Sequence, residues 1–260
     1  MHAFYFGHSN RPLYGVNHMP TVAYYRDSAV LLCNSIGHEY IRSHRALKQL
    51  AIKLADMGYY VLRFDYNGVG DSSGDFDNVN LADWQDNIML ASEELRAISG
   101  QHKITVIGLR VGATLSLLSS EQCKFNSMIL WDPVVSGKQF VSNLMALHKQ
   151  LLVDRMWFVK DRSEDDTPGN EYLGYKYSDN VIHDFEKIFF SAFNMTNNAP
   201  VNAVCTSAGE MHDLNRYADQ NTDKTSFAYV EDMGNWQELK YIDSSLTATN
   251  VLHHICEILK

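Results

Sequence analysis

Residues 104–118, ITVIGLRVGATLSLL, place a Gly-Leu-Arg-Val-Gly turn between a β-branched run and an apolar helix. A residue at the centre of so sharp a strand-to-helix turn is presented at a sheet edge, where chemistry is done. Here that residue is Arg110. A guanidinium is charged at every physiological pH and offers no lone pair, so it neither attacks a carbonyl nor accepts a proton. Beside a helix N-terminus it can bind a carboxylate or phosphate through its fork of donors. It can also be neutralised internally, because an unpaired buried charge costs several kcal/mol. Asp132, after the run SMILW, and Glu39, in NSIGHEY, are the acids within reach.

NSIGHEY carries further candidates. His38 with Ser35 or Cys33 would make a nucleophile–base pair. His38 alone could polarise a water beside Arg110. The spacing of His38, Glu39 and His44 fits no strong metal-ligand pattern, so no metal is expected. DYNGVGDSSG lacks the Gly-Lys-Ser/Thr of a phosphate-gripping loop and reads as a turn. No cofactor is implied.

These residues sit in a chain of 260, 45% hydrophobic and 20% charged, which is ordinary globular composition with enough length for one large core. No Pro/Gly/Ser-rich linker divides it, so residues 1–260 are expected to form one domain. The net charge of −9 argues against nucleic acid, which demands a clustered basic face. The densest basic cluster, Arg42, His44, Arg45 and Lys48, reads as a solvated helix face. Cys33, Cys123, Cys205 and Cys256 are scattered without a C-x-x-C and read as free thiols in a reducing cytoplasm. The N-terminus lacks a signal-peptide pattern, and no apolar run approaches the ~20 residues of a membrane span.

Strands and helices alternate. HAFYF and LYGVNH read as strands around a polar turn, SAVLLCN (28–34) as a buried strand, and Leu47, Leu50, Ala51 and Leu54 as one helix face. YYVLRFD (59–65) is the next strand. Asn80 and Asp83 can cap a helix with Leu81, Trp84, Ile88, Ala91, Leu95 and Ile98 on its inner face. KITVIGL (103–109) and SMILWDPVV (127–135) follow. Residues 138–196 show no strand pattern. VNAVCTS (201–207) and TSFAYVE (225–231) resume the strands, and a helix bearing Val251, Leu252 and Ile255 closes the chain. Such alternation predicts an α/β fold with a mostly parallel sheet covered on both faces. The loops at Asn34, Asp65, Arg110, Asp132 and Ser207 then open on one edge, where ligands of such sheets bind.

LRFDYNGVGDSSGDF, GLRVGA and LWDPVVSGKQF together resemble an α/β-hydrolase family related to serine aminopeptidases. They resemble more closely the hydrolase-like proteins associated with exosortase A systems, and similar proteins near nonribosomal peptide or polyketide genes. The resemblance implies an eight-stranded α/β-hydrolase sheet with a helical lid, residues 138–196, after the sixth strand. The wider α/β-hydrolase pattern implies a nucleophile where Arg110 stands and a His after the last strand, whereas the more closely resembled proteins also carry Gly-Leu-Arg at the elbow, which implies that Arg110 is a subfamily feature. The loop after the last strand, EDMGNWQELKYIDSS, offers Asn235 and Trp236 instead. No His occurs between His212 and His253, and His253 and His254 fall inside the closing helix. Asp132, or Glu210 and Asp213, occupy acid positions. Backbone donors of an anion hole would come from Val111 and from Ser35 or Ile36. Asp65, Trp236 and Glu210 are placed to line a substrate pocket. Trp157, Phe158, Tyr172, Tyr175 and Tyr177 would line an acyl pocket or form the lid's own core.

The expectation is a noncanonical or catalytically impaired hydrolase-family protein. It would bind an acyl, peptidyl or carrier-linked anionic small molecule. The alternative is an active ester, thioester or amide hydrolase or acyltransferase using residues near His38.

Overall fold

The computed structural model describes residues 1–155, 169–189, 199–206, 214, 225–232 and 234–260. Ten strands are described. β1 (His2–His8) and β2 (Arg11–His18) form a hairpin. β3 (Ser28–Cys33), β4 (Tyr60–Phe64), β5 (Lys103–Leu109), β6 (Ser127–Trp131), β9 (Val201–Cys205) and β10 (Thr225–Tyr229) complete the main sheet. Its order is β1-β2-β4-β3-β5-β6-β9-β10. Only the β1–β2 and β2–β4 pairings are antiparallel. The expected eight-stranded, mostly parallel sheet with helices on both faces is therefore present.

Side-chain alternation assigns the two faces. Ala29, Leu31 and Cys33 of β3 enter one core, and Val30 and Leu32 the other. The first core is closed by α2 (Leu81–Ser99) and α3 (Val111–Leu118). The second is closed by α1 (Gly37–Asp56) and α7 (Thr249–Ile258). Asn80 caps α2 through a reciprocal capping box with Asp83, as the sequence predicts. Short α4 (Ser120–Cys123) leads into β6.

After β6 come α5 (Gly137–Arg155), α6 (Asp179–Lys187) and, between them, β7 (Glu171–Tyr172) and β8 (Tyr175–Lys176). That small hairpin corrects the expectation of a strandless segment. Leu173 and Gly174 both adopt positive φ in its turn, a cue too local for hydrophobic periodicity to reveal. Val181 and Phe185 of α6, with Phe140, Val141 and Leu144 of α5, join the core on the α2 side. Trp157 and Phe158 lie outside the described residues.

The basic cluster on α1 is also corrected. His44, Arg45 and Lys48 are exposed, but Arg42 is 4% exposed. The helix is wedged between the sheet and residues 235–246, so Arg42 faces protein.

Candidate functional site

The turn at Arg110 has the backbone of a strained elbow. Its φ is 54° and its ψ is −121°, outside the regions an L-residue favours. The flanking glycines make this possible. A Cβ on Gly112 would lie 2.2 Å from the Asn34 carbonyl oxygen, and one on Gly108 would lie 2.4 Å from Ala113 Cα. β5, β3 and the start of α3 approach too closely for any side chain there.

Arg110 is buried, 6% exposed, and points into the protein. Its Nε donates to Glu39 Oε1 at 3.0 Å, and its Nη1 donates to the Asp132 carbonyl at 3.2 Å. Its guanidinium carbon lies 5.2 Å from the ring centroid of Trp236, within cation–π range. Glu39, 2% exposed, accepts a second bond at Oε2 from Ser35 Oγ at 2.6 Å. A charge-assisted pair with its second oxygen satisfied is the arrangement that makes a buried pair tolerable.

The Asp132 carboxylate is used elsewhere. Oδ1 accepts from Thr206 N at 2.7 Å. Oδ2 accepts from Thr206 Oγ1 at 2.6 Å and from Trp236 Nε1 at 2.9 Å. Asp132 itself is fully buried and takes φ 43°. The indole stands after the last strand, where the resemblance implies a histidine. It makes the bond to the acid that a histidine would make, but it has no basic nitrogen. A second guanidinium, Arg42, lies 4.9 Å from the Trp236 ring centroid and donates to the Asn235 carbonyl at 2.8 Å. Asp132, Trp236, Arg110 and Glu39 therefore form one continuous buried array.

The anion-hole loop is also internally satisfied. Ser35 N donates to Asn34 Oδ1 at 2.8 Å, and Ser43 Oγ donates to the same atom at 2.7 Å. Ser35 N–H is thus not aimed at a ligand, which corrects its expected role. Val111 opens α3 and Ile36 precedes α1; both are buried. Gly37, at φ 57°, is covered by Tyr177, whose Oη would stand 2.5 Å from a Cβ there. Tyr177 is buried, its hydroxyl lacks a hydrogen-bond partner among the described residues, and burial pushes its pKa well above the usual value. Tyr175 and Tyr177 pack edge-on against Phe76, 5.3 and 5.0 Å between centroids. These aromatics tie the segment after β6 to the body of the domain.

His38 is half-buried, and its Nδ1 is buried without a hydrogen-bond partner among the described residues. Burial lowers its pKa, Glu39 opposes this, and Arg110 and Arg42 add to the lowering. Ser35 Oγ donates to Glu39 and not to His38. Burial pushes the fully enclosed Cys33 thiol up to about 12. Neither expected nucleophile is therefore coupled to the imidazole. Asp65 lies apart from the elbow array: its Oδ1 accepts from Tyr40 Oη at 2.8 Å and its Oδ2 from Asp71 N at 3.0 Å. Glu210, His212 and Asp213 lie outside the described residues. Among the described residues no His/Cys/Asp/Glu group could hold a metal, and no helix is long and apolar enough to cross a membrane.

Sequence reasoning placed Arg110, Glu39, Asp132, Ser35 and Trp236 in this region, and the structure brings them together. It missed Thr206, Asn34 and Arg42. Thr206 follows the terminus of β9 beside β6 and was signalled by strand adjacency alone. Arg42 stands three residues after Glu39 on α1, a spacing that puts the two on one helix face.

No protein of curated function matches the chain. Solved structures match it in fold. Est1E from Butyrivibrio proteoclasticus, solved with ferulic acid bound, has a TM-score of 0.65 at 17% identity, covering 99% of this chain and 96% of that one. An alpha/beta hydrolase from Sphaerobacter thermophilus has a TM-score of 0.62 at 14% identity, covering 99% and 100%. Mouse alpha/beta hydrolase domain-containing protein 10 has a TM-score of 0.61 at 12% identity, covering 100% and 98%. A family model described as serine aminopeptidase, S33, matches residues 28–181, which include the elbow, Glu39 and Asp132. The chain belongs to this serine aminopeptidase (S33) family and has the α/β-hydrolase fold.

Proposed function

We propose that this chain is a non-hydrolytic member of its family, in which the elbow is a structural clamp and the protein acts by binding. One observation carries this reading: the buried array Asp132–Trp236–Arg110–Glu39. At the nucleophile and base positions it places a guanidinium and an indole, neither of which can attack a carbonyl or take a proton from a hydroxyl. Its cation is neutralised by Glu39, so Arg110 serves the fold before it serves a ligand.

The ligand class follows from the finer resemblance. Similarity to exosortase A-associated proteins, and to proteins near nonribosomal peptide or polyketide genes, favours an acyl, peptidyl or carrier-linked molecule in a cytoplasmic setting. Residues 138–196 would act as the lid within a single domain. The aromatic seam of Tyr175 and Tyr177 on Phe76 supports that placement.

A second reading, hydrolysis or acyl transfer by relocated residues, is favoured by the Nδ1 of His38, which has no hydrogen-bond partner among the described residues. A fluorophosphonate probe followed by intact-mass spectrometry separates the two. The clamp reading predicts no adduct, and no turnover of acyl esters or aminoacyl anilides. A stoichiometric adduct on any serine overturns it.

A further inference from the structure

A cavity of about 270 Å³ opens away from the elbow, between α1 and strands β2 and β4. Tyr14, Asn34, Tyr40, Lys48, Arg63 and Asp65 line it; Arg110, Trp236 and Glu39 do not. Arg63 pairs in register with Val16 on β2 and Leu32 on β3. Leu32 and Val61, on the same face, are core residues. An arginine in such a row costs solvation and is out of place unless it has a partner.

Among the described residues Arg63 makes no ion pair, and the Asp65 carboxylate acts on it only through space. The Arg63 Nε donates to His18 Nε2 at 3.2 Å, and no hydrogen bond or ion pair engages its terminal amino groups. Asp65, half-buried two residues on, is likewise without an ion pair. Each of its oxygens accepts one hydrogen bond, from Tyr40 Oη and Asp71 N, and retains a second lone pair. Burial raises the Asp65 pKa; the hydrogen bonds from Asp71 N and Tyr40 oppose this, the Asp71 charge adds to it and Arg63 opposes it. Two half-buried charges of opposite sign thus line one cavity without closing into an ion pair. At the rim, Lys48 repeats the cation and Asp71 the anion, both exposed and neither in an ion pair.

Size narrows the ligand. At about 270 Å³ the cavity lies just below the ~300–1,000 Å³ of drug-sized pockets, a size that suits a small molecule.

We propose that this cavity binds a free α-amino acid, with its carboxylate on Arg63 and Lys48 and its ammonium on Asp65 and Asp71. The site shares Asn34 with the elbow region but none of Arg110, Trp236 and Glu39, so binding there is measured apart from catalysis at the elbow.

The test is thermal unfolding and calorimetric titration of the whole chain with the twenty amino acids. Each is compared with its N-acetyl derivative, its carboxamide and inorganic phosphate. At least one free amino acid should raise Tm by about 5–10 °C at about 100-fold over its Kd. Its N-acetyl and carboxamide forms should not, because each lacks one charge. Arg63→Gln should abolish the shift. If that variant does not fold, the rim variants Lys48→Gln and Asp71→Asn should each weaken binding about two- to fivefold, the loss of one exposed charge contact. Binding by N-acetyl derivatives or phosphate at equal affinity would overturn the assignment in favour of a simple anion site. So would the absence of any shift across the twenty, or unchanged binding by these variants.

Discussion

Trp236 Nε1 donates to Asp132 Oδ2 at 2.9 Å, the bond that a base in this position would make to its acid. The indole keeps that half of the triad geometry and gives up the other half. Its ring meets the Arg110 guanidinium where a basic nitrogen would meet a hydroxyl. Trp236→Phe should leave Asp132 with only its Thr206 donors and cost about 1–3 kcal/mol. Chemical unfolding monitored by far-ultraviolet circular dichroism, which does not depend on the lost indole, measures this.

The cysteine thiols should be silent in the folded state. All four are buried, and burial pushes Cys33 up to about 12 and Cys123 up to about 11. The thiolate is the reactive form, so iodoacetamide at neutral pH should modify none of them before unfolding and all four after it. Selective alkylation of Cys33 in the native protein would return it to the list of nucleophiles.

The Tyr177–Gly37 contact makes an asymmetric prediction. The Tyr177 hydroxyl lacks a hydrogen-bond partner among the described residues, so Tyr177→Phe removes an unsatisfied polar group. Its Tm should stay level or rise. Gly37→Ala forces a Cβ against that hydroxyl at positive φ and should lower Tm by several degrees.

Stability should depend on pH through His18. Burial, Arg63 and Lys48 lower its pKa from 6.5 to about 4. The unfolded chain takes up this proton below about pH 6.5, while the folded chain refuses it until about pH 4. The His18 contribution is therefore complete above 6.5, declines as pH falls, and levels off near 4. Urea midpoints at about pH 7.5 and about pH 5, for the parent and for His18→Gln, isolate it. The variant should lose less stability between the two.

Much of the fold was legible because its signals are periodic. The buried runs of β3, β5 and β6, the Asn80–Asp83 box and the stripe on α2 all survive into the structure. The β7–β8 hairpin was not legible, because two-residue strands carry no period. The site divides the same way. Motif spacing located Arg110, and chain position located Asp132 and Trp236. What the sequence left open was the partner of Arg110. Asp132 and Glu39 both stood at the edge, and only side-chain direction decides that Glu39 supplies the carboxylate and Asp132 a carbonyl. Arg42 was misread because a basic residue on an amphipathic helix is usually solvated, and tertiary packing against Trp236 overrides that here.

The central claim is that Arg110 is a structural cation held by Glu39. A double-mutant cycle of Arg110→Met and Glu39→Gln, read by urea unfolding, tests it most directly. Each single variant should lose about 3–5 kcal/mol by stranding a buried charge. The double variant should recover much of that loss, giving a coupling of about 2 kcal/mol or more. Single losses below about 0.5 kcal/mol that simply add would contradict the account, because Arg110 would then be free for a ligand or a reaction.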